Sequence, residues 1–323
     1  MATKDFPKKV YLNSDQQIEK LRADGLRIPD EEHAKRRLKW EGYYNFAVGY
    51  NRLFKDDKKR YVRGVTFAHI EALFDFDRRL REIVYESTQQ VELNLKAILS
   101  DVFSARYGVD ERVYLQERNF TGEPSEQGNV RSMVGTCRAV LNDACRRGSP
   151  TYRDYVAYYD NNYKHVPFWV LVRMLSFGNT SRFLSLLKSD DGRTVAKEYG
   201  VGFRTLCKIV DYVVDFRNIA AHGERVYCAH LNSERLPEGL GLSANLELPK
   251  QQDGLPIYGF NDCMGLLIAL KYLLPKRAFD GYFDELVRIV EDLEKQLPAF
   301  AYERTLKEMG LQGNWKRMNK LPV

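Results

Sequence analysis

The sequence predicts an all-α protein, on three observations. Apolar residues recur at three- and four-residue steps over most of the chain, the strand signal is weak throughout, and Ser, Thr, Asn, Pro and Gly stand where helices begin and end. From Thr66, a good N-cap, Phe67, Ile70, Leu73, Leu80, Val84, Val91, Leu95, Ile98 and Val102 keep helical spacing until Gly108. A helix of that length is unusual in a globular protein, so a bend or break is expected near Glu86 to Thr88. A polar loop, Asn119 to Asn129, leads to a helix through MVGTCRAVLNDACRR that Gly148 and Pro150 end. Pro167 opens FWVLVRMLSF, where its missing N–H costs nothing. Gly178 is expected to close that helix, with Asn179 or Thr180 capping the next through SRFLSLLKS. A helix around Cys207 to Ala221 precedes the longest irregular stretch, Asn232 to Phe260, rich in Gly and Pro with room for short strands. CMGLLIALKYLL and YFDELVRIVEDLEKQL read as two further amphipathic helices, and Pro298 ends the second. No repeat or linker divides the chain. Its expected parts are an N-terminal helical segment packing on the core (1–65), the core (66–297) and a C-terminal tail (298–323).

Composition bounds the function. With 323 residues, 44% of them hydrophobic, the chain can bury a large core. The N-terminal residues MATKDFPKKV lack the apolar centre of a secretory signal, and MGLLIALKYLL is cut by Lys271 and is too short to span a bilayer, so a soluble, cytoplasmic protein with no membrane contact is expected. Cys137, Cys145, Cys207, Cys228 and Cys263 are odd in number and widely spaced, as reduced thiols rather than a disulfide framework or a zinc site. The net charge of +6 is modest, but the basic residues cluster in KRRLK, KDDKKRYVR, DRRLR, CRRG and KRMNK. Such clusters beside tyrosines suit a polyanion such as RNA, and each taken alone also reads as a solvated helix face.

The common catalytic signatures are missing: no Walker A loop, no dinucleotide-binding glycines, no H-E-x-x-H and no G-x-S-x-G. The carboxylate pairs Asp56/Asp57, Asp75/Asp77 and Asp190/Asp191 do not share a helix face or lack a third ligand, so no metal and no cofactor is expected. Histidine with arginine is left, a proton exchanger next to a phosphate-stabilising cation. VDYVVDFRNIAAHGERVYCAH holds two such pairs with four residues between, Arg217 with His222 and Arg225 with His230. Arg27 with His33 and Arg63 with His69 nearly match, but Pro29 interrupts one and Gly64 with a helix start the other. Arg225 and His230 lie beyond Gly223 among β-prone residues, on the loop or strand leaving the helix.

Only Arg217 and His222 sit on a periodic helix, whose apolar stripe is Tyr212, Val213, Phe216 and Ile219/Ala220. Asn218 is four residues before His222 and can hydrogen-bond its ring. Arg217 is five residues before it, about 140° round the helix and roughly 7.5 Å along it, too far to share a phosphate within one chain. A symmetric partner brings a second arginine and histidine together, so a homodimeric site is expected. The plainer reading has His222 meeting the last helix carbonyls and Arg217 bridging to Asp211, Asp215 or Glu224.

FRNIAAHGERVY resembles the R-N-x-x-A-H motif of the HEPN superfamily. With LKWEGYYNFAVGYNRLF, GVTFAHIEALFDFDRRLREIV, VELNLKAIL, PFWVLVRMLSFGNTSRFLSLL and MGLQGNW in that order, the chain is similar to the Abi-like (AbiD and AbiF type) abortive-infection family of bacteria. The resemblance implies a HEPN-type bundle with an N-terminal helical extension, dimerisation, and metal-independent endoribonuclease activity in phage defence, restrained by an antitoxin or a structured small regulatory RNA. Arg217 and His222 fall on the two defining positions, Asn218 on the polar position between them, and Glu92 on an acidic position of the first core helix. Gln89 stands where relatives carry a second acid. Glu92 equally reads as an i,i+4 partner of Lys96. Tyr43, Tyr44, Tyr50 and Arg52, with Arg225, are candidates to hold RNA; the competing reading packs the tyrosines inside. The alternatives to a nuclease are a noncatalytic RNA-binding HEPN protein holding a small RNA, and a phage-sensing interaction protein.

Overall fold

The computed structural model describes residues 10–231, 236–237, 240, 246–250 and 257–322. It is all-α: among the described residues only isolated bridges occur, such as Phe120 with Leu187, and no strand. No helix among them is long and apolar enough to cross a membrane. Most of the irregular Asn232 to Phe260 stretch lies outside the described residues, although Leu236, Leu240, Leu246 and Leu248 within it are buried.

The chain forms two compact units, Met1–Leu80 with Leu286–Lys307, and Arg81–Glu285 with Glu308–Val323. In the first, α1 (Ser14–Ala23) starts at a capping box, where the Asn13 side chain accepts from Gln16 N–H and the Gln16 side chain accepts from Asn13 N–H. α2 (Glu31–Glu41) is capped by Asp30 and ends at Gly42, whose φ of +80° places it in the left-handed region. A π turn, Tyr44–Val48, follows, and it leaves Phe46 and Tyr50 inside and Tyr44 75% exposed. Phe46 meets Phe67 and Phe74, and the Arg37 guanidinium lies 5.5 Å from the Phe46 ring centre and 5.6 Å from that of Phe74. Arg37 also pairs with Glu41 and Asp75.

The Tyr50 hydroxyl donates to the buried Asp77 carboxylate at 2.6 Å. Tyr50→Phe is expected to cost about 1–3 kcal/mol, because it takes a donor from a carboxylate that water cannot reach. Tyr44→Ala, at the surface, is expected to stay within about 0.5 kcal/mol. Urea melts of the two variants check the contrast.

α3 (Phe67–Tyr107) runs unbroken through Glu86 to Thr88, against the expected break. No proline or glycine interrupts it, and Thr88, fully buried, satisfies its hydroxyl by donating to the Tyr85 carbonyl. Phe67–Leu80 of this helix belong to the first unit and the remainder to the second.

In the second unit, Phe103 is the hub of an aromatic core, with the rings of Tyr107, Tyr114, Phe120, Phe168 and Phe183 within 6.3 Å. Around it stand α4 (Glu111–Tyr114), α5 (Gln127–Cys145), α6 (Asp154–Tyr163), α7 (Phe168–Leu171), α8 (Phe177–Ser185) and α9 (Ser189–Lys197). The boundary expected at Gly178 falls earlier. Ser176 caps α8 by accepting from Asn179 N–H, and Gly178 lies inside that helix. α10 (Phe203–Ala221) and α11 (Cys263–Leu273) complete the unit, with the N-terminal part of α12 (Lys276–Glu294). Pro298 follows α12 and also opens α13 (Ala299–Met309), accepting the first N–H bonds of that helix at its carbonyl.

Candidate functional site

Helix α10 carries the motif. Leu206, Ile209, Val210, Tyr212, Val213, Phe216 and Ala220 bury its apolar face. It is tied to α11 through Asp262: the Tyr212 hydroxyl donates to the Asp262 carbonyl at 2.7 Å, and the Asp262 carboxylate accepts from Gly265 and Gly259 N–H. Burial pushes the Asp262 carboxyl above its ordinary range, and the hydrogen bonds it accepts oppose that rise.

His222 is the C-cap residue, with an exposed side chain. The helix ends in a Schellman motif: Glu224 N–H donates to the Ile219 carbonyl, Gly223 N–H to that of Ala220, and Gly223 takes a φ of +71°. The backbone therefore fixes where the imidazole leaves the helix, while its ring stays open to solvent. Asp211, Asp215, Asn218 and His222 follow at helical spacing along one stripe. Burial raises the carboxyls of Asp211 and Asp215, and Asp211 raises Asp215 further; the Ser181 hydroxyl donates to Asp211 and opposes the rise there.

Arg217 turns toward α3. Its Nη2 lies 4.0 Å from Glu92 Oε2, its guanidinium stands 5.9 Å from the Tyr85 ring centre, and Nη1 donates to Asn218 Oδ1 at 3.2 Å. Its Nε is buried, with no hydrogen-bond partner among the described residues. Among the described residues Arg217 forms no salt bridge with Asp211, Asp215 or Glu224; its carboxylate partner is Glu92, far away in sequence. Glu92 also meets its i,i+4 neighbour: the buried Lys96 donates to Glu92 Oε1 and to the Leu175 carbonyl, each at 2.6 Å. The i,i+4 partnership with Lys96 is present, and the other Glu92 carboxylate oxygen faces Arg217. Gln89 is exposed.

The structure thus brings Glu92, Arg217 and Asn218 together and places His222 at the end of the same helix. The bond expected from Asn218 to the His222 ring does not form; Asn218 Oδ1 serves Arg217. The other arginine and histidine pairs have separate duties. His33 Nε2 meets Glu71 at 2.6 Å, and His69 Nδ1 accepts from Thr66 N–H at the start of α3, where burial lowers its pKa. Arg225 and His230 are exposed on irregular backbone past the Schellman turn, in a loop rather than a strand.

Of the candidates to hold RNA, Arg225 lies in the same unit as the motif, while Tyr43, Tyr44 and Arg52 belong to the first unit. Tyr44 and Arg52 are exposed, Tyr43 is half-buried, and Tyr50, bonded to Asp77, is closed to a base. Among the described residues no group of His, Cys, Asp and Glu is arranged to hold a metal ion.

The family described as Abi-like protein matches residues 36–228. The chain belongs to the Abi-like family. Comparison with curated proteins and with solved structures finds no match. The matched span opens within α2 and closes just beyond the Schellman turn, so it contains Glu92 and the whole of α10.

The sequence reading missed the surroundings of Lys96. An open groove of about 630 Å³ is lined by Leu93, Lys96, Tyr155, Trp169 and Arg173 among others. The tyrosine-rich DYVAYYDNNY and Trp169 with Arg173 four residues later were its only trace in the sequence.

Proposed function

We propose that this Abi-like chain is a metal-independent HEPN endoribonuclease of a bacterial abortive-infection system, acting as a homodimer on RNA. The observation that carries this reading is the state of Arg217. It is a cation with a buried Nε that no group among the described residues satisfies, held near Glu92 on a helix that ends in an exposed histidine. The Arg217 side chain as a whole is 26% exposed, so its outer guanidinium N–H groups can pair with a phosphate oxygen.

RNA supplies its own nucleophile, the 2′-hydroxyl. A site for its cleavage needs a base and an acid for the proton transfers and a cation for the phosphorane charge. His222 takes the 2′-hydroxyl proton or delivers one to the 5′-oxygen. Arg217 stabilises the pentavalent phosphorane, Asn218 orients the guanidinium, and Glu92 holds it in place. The products carry a 2′,3′-cyclic phosphate and a 5′-hydroxyl. Because Arg217 and His222 leave one helix in different directions, two copies are needed to enclose one phosphate. A nuclease kept in its own host also needs a restraint, for which an antitoxin or a structured small RNA is the expected partner.

Incubating the purified chain with single-stranded RNA in EDTA, and analysing the product ends, tests the reading. Fragments with cyclic phosphate ends support it. Intact RNA with tight, salt-sensitive binding would replace it with an RNA-holding role, and neither cleavage nor binding would favour a phage-sensing interaction protein.

A further inference from the structure

Exposed aromatic side chains gather between Tyr155 and Trp169: Tyr155, Tyr158, Tyr163 and Trp169 are 44%, 54%, 54% and 42% exposed. Tyr155 and Trp169 line the groove together with Leu93, Lys96 and Arg173. A second hollow of about 470 Å³ continues from it, sharing Tyr155 and Arg173 and adding Arg153. Together they form an aromatic trough edged by cations.

The charge around this trough is unbalanced. Among the described residues Arg173 has no ion-pair partner, and the Arg153 guanidinium donates only to the neighbouring Tyr152 carbonyl. The one carboxylate on the lining, Asp143, is engaged by Arg146 at 2.6 Å. Two of the three N–H groups of Lys96 are used, by Glu92 and by the Leu175 carbonyl. A phosphodiester chain supplies the counter-charge, and its bases supply faces for Tyr155 and Trp169. The first hollow lies within the usual range of ligand sites, about 300–1,000 Å³.

Its location adds meaning. Lys96 lines the groove and touches Glu92 Oε1, while Glu92 Oε2 faces Arg217. We propose that the groove of Leu93, Tyr155, Trp169 and Arg173 is a base-stacking subsite for single-stranded RNA, holding a nucleotide next to the phosphate that Arg217 addresses. The subsite rests on the nuclease reading for the role of Arg217. Stacking accepts any base, so this subsite selects unpaired strand over duplex rather than a sequence.

The test is equilibrium binding of a fluorescein-labelled, unstructured RNA oligonucleotide to the His222→Ala chain in EDTA, with Trp169→Ala, Trp169→Phe or Arg173→Gln added. Trp169→Ala is expected to raise Kd at least about fivefold, as the loss of one stacked base does, and Trp169→Phe to keep most of the affinity. Arg173→Gln is expected to weaken binding and lower the salt slope by about one. Should Trp169→Ala fail to fold, the phenylalanine and glutamine variants carry the test. An unchanged Kd in the folded variants overturns the subsite. So does a Trp169→Ala change in oligomeric state at unchanged Kd, which makes the face an interface between copies. The two readings fail separately: His222-dependent cleavage with unaltered binding in the groove variants removes the subsite alone, and groove-dependent binding without any cleavage by the parent removes the nuclease alone.

Discussion

His222→Ala is expected to lower RNA cleavage in EDTA by about 10²–10⁴-fold, the range for losing one positioned proton-transfer group, with the thermal midpoint nearly unchanged. The second half of that expectation follows from the cap. The imidazole is exposed, and the part of His222 that holds the helix end is its backbone, whose N–H donates to the Asn218 carbonyl and does so equally in alanine. Gly223 at φ +71° is where the turn is strained for other residues, and it is untouched. His230→Ala, past the turn, is expected to cleave at the parent rate. A paired measurement of initial cleavage rate and melting temperature for the two alanine variants checks both claims.

Gly265→Ala is expected to be strongly damaging to the second unit, at about 3 kcal/mol or more. A Cβ at Gly265 would overlap the Tyr212 hydroxyl and sit 2.9 Å from its Cζ, within reach of the Gly259 carbonyl as well. Tyr212 cannot retreat, since it is fully buried and its hydroxyl is held by the Asp262 carbonyl. The damage falls on the contact that fixes α10 to α11, so the motif helix is displaced even where the chain still folds. Cleavage should therefore fall more than the folded fraction does. Adding Tyr212→Phe is expected to restore part of the stability, because it removes the overlapping oxygen while the ring remains close. Urea unfolding of the single and double variants reads the effect and the coupling.

Periodicity and caps located α3, α5, α7, α8, α10, α11 and α12, because the residues that stop helices are local, whereas α4, α6, α9 and α13 were not singled out. The errors were also local in origin. The length of α3 alone suggested a break, but without proline or glycine the polar Ser87 and Thr88 remain inside the helix, and Thr88 bonds back to the chain. Gly178 looked like a terminator, yet Ser176 offers the hydroxyl that starts the next helix, and a glycine just after such a cap costs little. Pro298 was read as a stop and is equally a start.

The motif helix was legible because Arg217, Asn218 and His222 lie within six residues. The pairing of Arg217 with Glu92 was not, since 125 positions separate them and only the family resemblance singled out Glu92. The groove was least legible: Leu93, Tyr155 and Trp169 come from three separate helices and Arg173 from the turn after the last, and no spacing rule connects them.

The central claim is that one cleavage site is built from two copies of the motif. Mixing the Arg217→Ala and His222→Ala chains under conditions that allow subunit exchange tests it most directly. Each variant alone lacks a complete site, whereas a mixed dimer has one, with arginine from one chain and histidine from its partner. An equal mixture is expected to recover about a quarter of the parent cleavage rate, since half of the dimers are mixed and each carries one working site of two. A mixture that exchanges subunits yet stays as inactive as either variant alone would contradict the account.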